Sequence, residues 1–377
     1  GRFSLSLEKK EMKGFLFAAV MIAAVACGLT EVGEPVRRPG GEVWTGPGMN
    51  IGKDDPDRTV CYVTLVTYPD GYDWKADRGK GSVKCSLVVL ANGLPMMKVP
   101  VGDEYETSSD PDMHRMIAGR LYTDYSTDSE TVIKMDGKVL FRYSGKERIC
   151  GMLVDSSGVY TLGHPRDTDG FTYRRNGEIL LERSGGRSFE RLYRDGADIC
   201  FSFSEPVASS VEEIERYYHV RNGEITQVAL REDVKKVWDM TSDEGIVYYV
   251  ADIIGVDDPV VFAGTGMTVM DMPESSSMIG CRILADSDVV CVEGVSLSQG
   301  RPLNAFLWTN SNGYYAFKTG LTMSSANCSG GSVFCVLNSP SLTICGQVYF
   351  NGDIVSVPFK YTSAFGTDDV IVKAGGS

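Results

Sequence analysis

With 377 residues, 50 acidic against 37 basic side chains and a net charge of −13, the chain is long enough for a sizeable core. Its charge argues against nucleic acid, whose phosphates demand basic patches, and against attachment to anionic headgroups by charge alone.

Residues 1–11 fit no targeting pattern, and the informative run begins at Met12. Lys13 supplies a positive start, and Gly14 to Ala23 form an apolar stretch too short to span a bilayer as a stable anchor. The small residues Ala24 and Ala26 then lead into Cys27. This arrangement resembles the lipobox of bacterial lipoproteins, a resemblance that implies a diacylglycerol thioether on Cys27 and makes that cysteine the new N-terminus. Residues 1–26 are therefore set aside as an upstream extension plus signal peptide, 27–58 read as a lipid-anchored linker, and 59–377 as the folded unit. Without 1–26 the balance is 37 − 4 = 33 basic and 50 − 2 = 48 acidic residues, a net charge of −15. The expected location is the cell envelope, as an outer-membrane lipoprotein facing the periplasm or the surface.

From residue 59 onward the chain alternates short apolar runs with small polar turns. Asn92-Gly93, Asp136-Gly137, Asn176-Gly177, Asn222-Gly223, Asn312-Gly313 and Asn351-Gly352 each separate two β-rich runs. These pairs favour two-residue hairpins in which both central residues take φ > 0. Their gaps are 44, 40, 46, 90 and 39 residues, and Gly264-Thr265-Gly266 falls in the middle of the long one. Seven turns at a mean spacing of (351 − 92)/6, about 43 residues, predict an all-β chain of propeller blades. A second polar turn joins the other two strands of each unit, as at Asp155–Gly158 and Ser242–Gly245. The expectation is a β-propeller of seven four-stranded blades, closed by pairing of N- and C-terminal segments, with Asp369–Lys373 as the closing strand. Helical periodicity is absent, apart from one possible turn at Val211–Glu215.

Strands such as Ile246-Val247-Tyr248-Tyr249-Val250-Ala251, Asp288-Val289-Val290-Cys291-Val292-Glu293-Gly294 and Thr172-Tyr173-Arg174-Arg175-Asn176-Gly177 recur through residues 60–373. In this the unit resembles a still uncharacterised family of propeller lipoproteins from Gram-negative anaerobes. The resemblance implies fold and anchor, and it brings no activity or site. The nine cysteines after Cys27 (61, 85, 150, 200, 281, 291, 328, 335 and 345) cannot all pair. They lie mostly within apolar runs, so they read as core residues.

In a four-stranded meander the two tight hairpins of each unit lie at one end of the sheet and the longer connections at the other. Long loops on a rigid scaffold are the expected place for function. Pro69–Ser82, Val101–Asp112 and Glu205–Glu215 are the longest. The first two interleave Tyr72, Trp74 and Tyr105 with Asp73 and Glu104, the flat aromatics and carboxylates that sugar rings or a protein partner bind. Spacing suited to a metal or phosphate is absent, so no cofactor and no metal are expected. His164 lies at the end of a strand on the loop-rich side, and His219 within a strand. The expected function is non-catalytic binding of a glycan or protein partner. The alternative is a carbohydrate-active enzyme with two or three carboxylates near the propeller axis.

Overall fold

A computed structural model describes residues 59–373, apart from 68–84, 92–93, 102–113, 118–119, 167, 208–213, 274–275, 287–288, 299–300, 318–321, 330–331, 339–346, 351–352 and 357–362. All its elements are strands, arranged in seven antiparallel sheets. The first sheet orders β29 (Ser363–Lys373), β1 (Thr59–Thr67), β2 (Cys85–Ala91) and β3 (Leu94–Val101). The second holds β4 (His114–Ile117), β5 (Arg120–Ser126), β6 (Glu130–Met135) and β7 (Lys138–Ser144). The third holds β8 (Glu147–Asp155), β9 (Gly158–Pro165), β10 (Gly170–Arg175) and β11 (Glu178–Ser184). In the fourth, β12 (Arg187–Ser188) and β13 (Tyr193–Asp195) share one side of β14 (Asp198–Val207), followed by β15 (Ile214–Arg221) and β16 (Glu224–Gln227). The fifth runs β17 (Val234–Asp243), β18 (Ile246–Ile253), β19 (Val260–Ala263) and β20 (Gly266–Val269). The sixth runs β21 (Ser276–Asp286), β22 (Val289–Ser298), β23 (Arg301–Thr309) and β24 (Gly313–Ala316). The seventh runs β25 (Thr322–Ser329), β26 (Ser332–Asn338), β27 (Gln347–Phe350) and β28 (Asp353–Ser356).

The core is a series of layers between consecutive sheets. One layer joins sheets two and three, and others follow between each successive pair up to sheets six and seven. Period-two alternation of side chains makes this possible, because one strand can feed two layers. In β18, Tyr249, Ala251 and Ile253 enter the layer against sheet four, while Tyr248 and Val250 enter the layer against sheet six. In β23, Phe306 and Trp308 pack toward sheet five and Ala305 and Leu307 toward sheet seven. Two-sided burial explains why runs such as Val289–Val292 are apolar without interruption. Within that run, Val290 and Val292 face one layer and Cys291 the other. Cys150, Cys200, Cys281, Cys291, Cys328 and Cys335 are all buried and outside any disulfide.

The recurrent turn has a more specific role than its φ angles alone. Asp136, Asn176 and Asn222 sit at φ +50°, +51° and +49°, each followed by a glycine with φ > 0, as the hairpin reading expects. Each also reaches across to the second strand of its sheet. The Asn176 N–H donates to Val159 O at 2.8 Å, and its Oδ1 accepts the Val159 N–H at 2.9 Å. Asn222 does the same with Ile199, and Asp136 with Leu121. The side chain thus extends the ladder by one bond beyond the strand.

In sheet six the equivalent residue is Asn310, bonded in both directions to Val290. Thr309 pairs with Gly313, so this connection has three residues, and Asn312-Gly313 is not a two-residue hairpin as its sequence suggests. With 264 and 310 beside 136, 176 and 222, the described turns are spaced 40, 46, 42 and 46 residues apart, so the long gap between the Asn-Gly pairs is filled by a turn in register. Two further expectations are corrected. Ile214 and Glu215 open strand β15 instead of a helical turn, and the connection before it narrows to 208–213.

Replacing Asn176 by Ala should remove a side-chain bond and place a poorer residue at φ > 0, costing about 2 kcal/mol in urea unfolding. Asn176→Gly, which keeps the turn and loses only the bond, should cost about half as much.

Candidate functional site

Thr67 pairs with Ser86 and Cys85 with Val101, so the β1–β2 and β3–β4 connections leave the first sheet at the same end. Those connections carry Tyr72, Asp73, Trp74, Glu104 and Tyr105, which, like Cys27, lie outside the described residues. What is described at the equivalent end of sheets three and four is a cluster of charged residues around a break in one strand.

The first strand of sheet four is interrupted. Ser188 pairs with Phe203 and Tyr193 with Cys200, so four residues, 189–192, stand opposite two of β14. The excess is expelled as a bulge, a device that re-aims side chains. Glu190 takes φ +56°, outside the range a non-glycine residue ordinarily adopts. Leu192 presses against β8, where a Cβ on Gly151 would lie 2.6 Å from the Leu192 nitrogen, so only glycine permits this approach.

At the rim of the bulge, the Glu190 carboxylate takes both terminal nitrogens of Arg148, with Nη1 at 3.5 Å from Oε2 and Nη2 bonded to Oε1. Both side chains are nearly half exposed. Burial raises the Glu190 pKa, but Arg148, His164 and Arg282 together hold it below its ordinary value. His164 Nδ1 meets Gly170 O at 2.8 Å and its Nε2 meets Ser188 Oγ at 2.9 Å. A carbonyl only accepts, so Nδ1 carries a proton and donates it to Gly170 O. Ser188 is 2 % exposed and serves to tie the two sheets together.

Deeper in, Arg191 crosses to two further sheets. Its Nη2 donates to Ile283 O on β21, 92 residues away, and lies 3.6 Å from Asp239 Oδ2 on β17. Asp239 Oδ2 also accepts the Ile283 N–H at 2.8 Å. The two side chains are 10 % and 3 % exposed. Burial pushes the Asp239 carboxyl up to about 6, against the opposing pull of Arg191. Glu293, 3.5 Å from Arg282, is likewise raised by burial. Arg191 Nε and Nη1, Asp239 Oδ1 and Glu293 Oε2 have no partner among the described residues.

Two other buried polar groups are structural. Glu147 binds Arg174 through Nη2 at 2.6 Å and Tyr143 through its hydroxyl at 3.1 Å, joining sheets two and three. Asp195 accepts from Ser242 Oγ at 2.9 Å and from Gly245 N, and His219 stacks on Tyr193 beside them.

Sequence reasoning missed Arg148, Glu190, Arg191 and Asp239. The signal available was the charge density of Arg187–Asp195, at a strand position that is apolar in the third sheet as Ile149–Leu153. Asp239 is the partner of Arg191, while its neighbour Trp238 donates from Nε1 to Asp252 at 2.9 Å.

No family model and no curated protein matches the chain. Among solved structures, the β-propeller domain of the Trilobed protease from Pyrococcus furiosus aligns with a TM-score of 0.50 at 10 % identity, over 80 % of this chain and 96 % of that one. TolB from Acinetobacter baumannii aligns at 0.41 and 11 % identity, over 81 % of each chain, and apo AztD from Citrobacter koseri at 0.41 and 8 %, over 83 % and 96 %. At these identities likeness speaks for the fold alone, and the first alignment carries it. The chain is an all-β protein of antiparallel sheets with the fold of β-propellers.

Asp239 gives a signed test of the buried cluster. Its folded pKa of about 6 exceeds the ordinary 3.8, so the stability it contributes is present below about pH 4 and lost as pH rises through 6. The stability of wild type relative to Asp239→Asn should therefore fall by on the order of 3 kcal/mol between pH 4 and 7 in chemical unfolding.

Proposed function

We propose that the seven sheets are blades of a closed ring and that the protein is a non-catalytic binding scaffold of the cell envelope, anchored by lipid on Cys27. In this reading it holds a glycan or protein partner at the end that carries the long connections. The ring is supported by the pairing of β29 with β1, from Thr59↔Lys373 to Val66↔Ser363, and by contacts of β29 with both β25 and β4.

The observation that carries the binding reading is the asymmetry of the sheet ends. At one end strands are joined by turns of two or three residues. At the other, 85 − 67 − 1 = 17 residues separate β1 from β2, and 114 − 101 − 1 = 12 separate β3 from β4. Tyr72, Trp74 and Tyr105 with Asp73 and Glu104 are the proposed contact residues. The carbohydrate-active alternative needs carboxylates that can meet a sugar. Asp239 and Glu293 are buried and faced by Arg191 and Arg282, which suits a fixed element better than a catalytic pair.

Cys27→Ala should abolish incorporation of labelled palmitate and move the protein from the membrane to the soluble fraction. Unchanged membrane retention would reject the anchor. Trp74→Ala should leave thermal stability within about 1 kcal/mol while weakening partner binding by roughly 1–3 kcal/mol, measured by pull-down from a solubilised envelope fraction.

A further inference from the structure

The bulge of sheet four gathers a charged cluster of its own. Arg148 and Arg282 stand on two different sheets, both about half exposed; Arg148 holds the Glu190 carboxylate, and Arg282 precedes Ile283, whose carbonyl takes Arg191. Directly beyond Glu190, Arg191 is nine-tenths buried with Nε and Nη1 unpartnered among the described residues. Buried N–H donors without acceptors are costly, and a guanidinium costs more than a neutral group. Asp239 pairs with Arg191 and Glu293 with Arg282, while both ring nitrogens of His164 are engaged, by Gly170 O and Ser188 Oγ.

Glu190 meets Arg148 while its backbone holds φ +56°. A residue held in a sparsely populated backbone region needs a reason, and here the conformation delivers a planar carboxylate to a planar guanidinium end.

Resting on the reading that this end of the molecule binds ligands, we propose that Arg148, Arg282 and Arg191 form a recognition site for a small carboxylate. Glu190 is the internal occupant that such a ligand displaces from Arg148. The class is a monocarboxylate, free or as the acid group of a uronic sugar. Phosphate and sulfate fit less well, because Glu293, Asp239 and a net charge of −13 oppose a second negative charge.

The test is calorimetric titration of sodium glucuronate into the full chain at fixed ionic strength, with glucose and sulfate as controls. Glucuronate should bind saturably while glucose and sulfate do not. Glu190→Gln, which keeps the shape and removes the competing charge, should bind about fivefold tighter, and Arg148→Gln about fivefold weaker, the scale of one partly exposed charge pair. A merely structural Glu190–Arg148 pair predicts no change in affinity for either variant. The proposal is overturned if wild type and Glu190→Gln both fail to saturate at about 10 mM, an affinity weaker than any useful site. It is equally overturned if sulfate competes on equal terms, or if Glu190→Gln binds no tighter. Trp74→Ala separates the two readings, since it should leave glucuronate affinity unchanged. A Trp74→Ala protein that keeps both its partner and its glucuronate affinity counts against the aromatic loop patch and not against the arginine site.

Discussion

Two-sided burial is the constraint on which this structure depends. A sheet sandwiched between two others must place apolar side chains on both faces, and the alternation of β18 and β23 between neighbouring layers meets that demand. Every middle sheet then relies on both neighbours, so the fold is a stack in which stability comes from interfaces more than from any single sheet. The Asn and Asp turns belong to the same logic. They fix the register of each hairpin, and a slip of one residue would exchange the two faces of a strand throughout. Small buried thiols fit this arrangement, because a layer shared by converging strands needs side chains of modest size.

The same stacking brings the first strands of several sheets together, and polar groups buried there need partners. Arg191 answers part of that need by spanning from the fourth sheet to the sixth, past Asp239 of the fifth. A buried pair of this kind is a weak source of net stability, because desolvation offsets most of the Coulomb attraction. Its value lies in specifying how three sheets meet. Burial wins over pairing at Asp239, whose pKa is raised despite the guanidinium beside it. The exposed Arg148–Glu190 pair has a different character: it contributes little to stability, yet it is held by an unusual backbone conformation.

Much of the fold was legible in the sequence because its signals are local. A dipeptide that needs φ > 0 at two positions can be read without knowing what lies around it, and so can a run of apolar residues. The error at Asn312-Gly313 shows the limit: the dipeptide is right for a hairpin, but Asn310 holds the ladder bond to Val290, which only pairing reveals. The charged cluster was not legible for a stronger reason. Arg148, Glu190, Arg191, Asp239 and Arg282 are scattered over 135 positions (282 − 148 + 1), and nothing in their spacing marks convergence. The aromatic loop residues were legible as composition only, and Tyr72, Asp73, Trp74, Glu104 and Tyr105 lie outside the described part of the chain.

The central claim is that the two ends of the sheets divide the labour, one fixing register and the other meeting partners. A hydrogen-exchange difference map, taken with and without a solubilised cell-envelope fraction, tests it most directly. The account predicts added protection in segments 68–84, 102–113 and 187–192, with the Asp136, Asn176 and Asn222 hairpins unchanged. Protection centred on those hairpins, or on the outer strands β7 and β11, would contradict it.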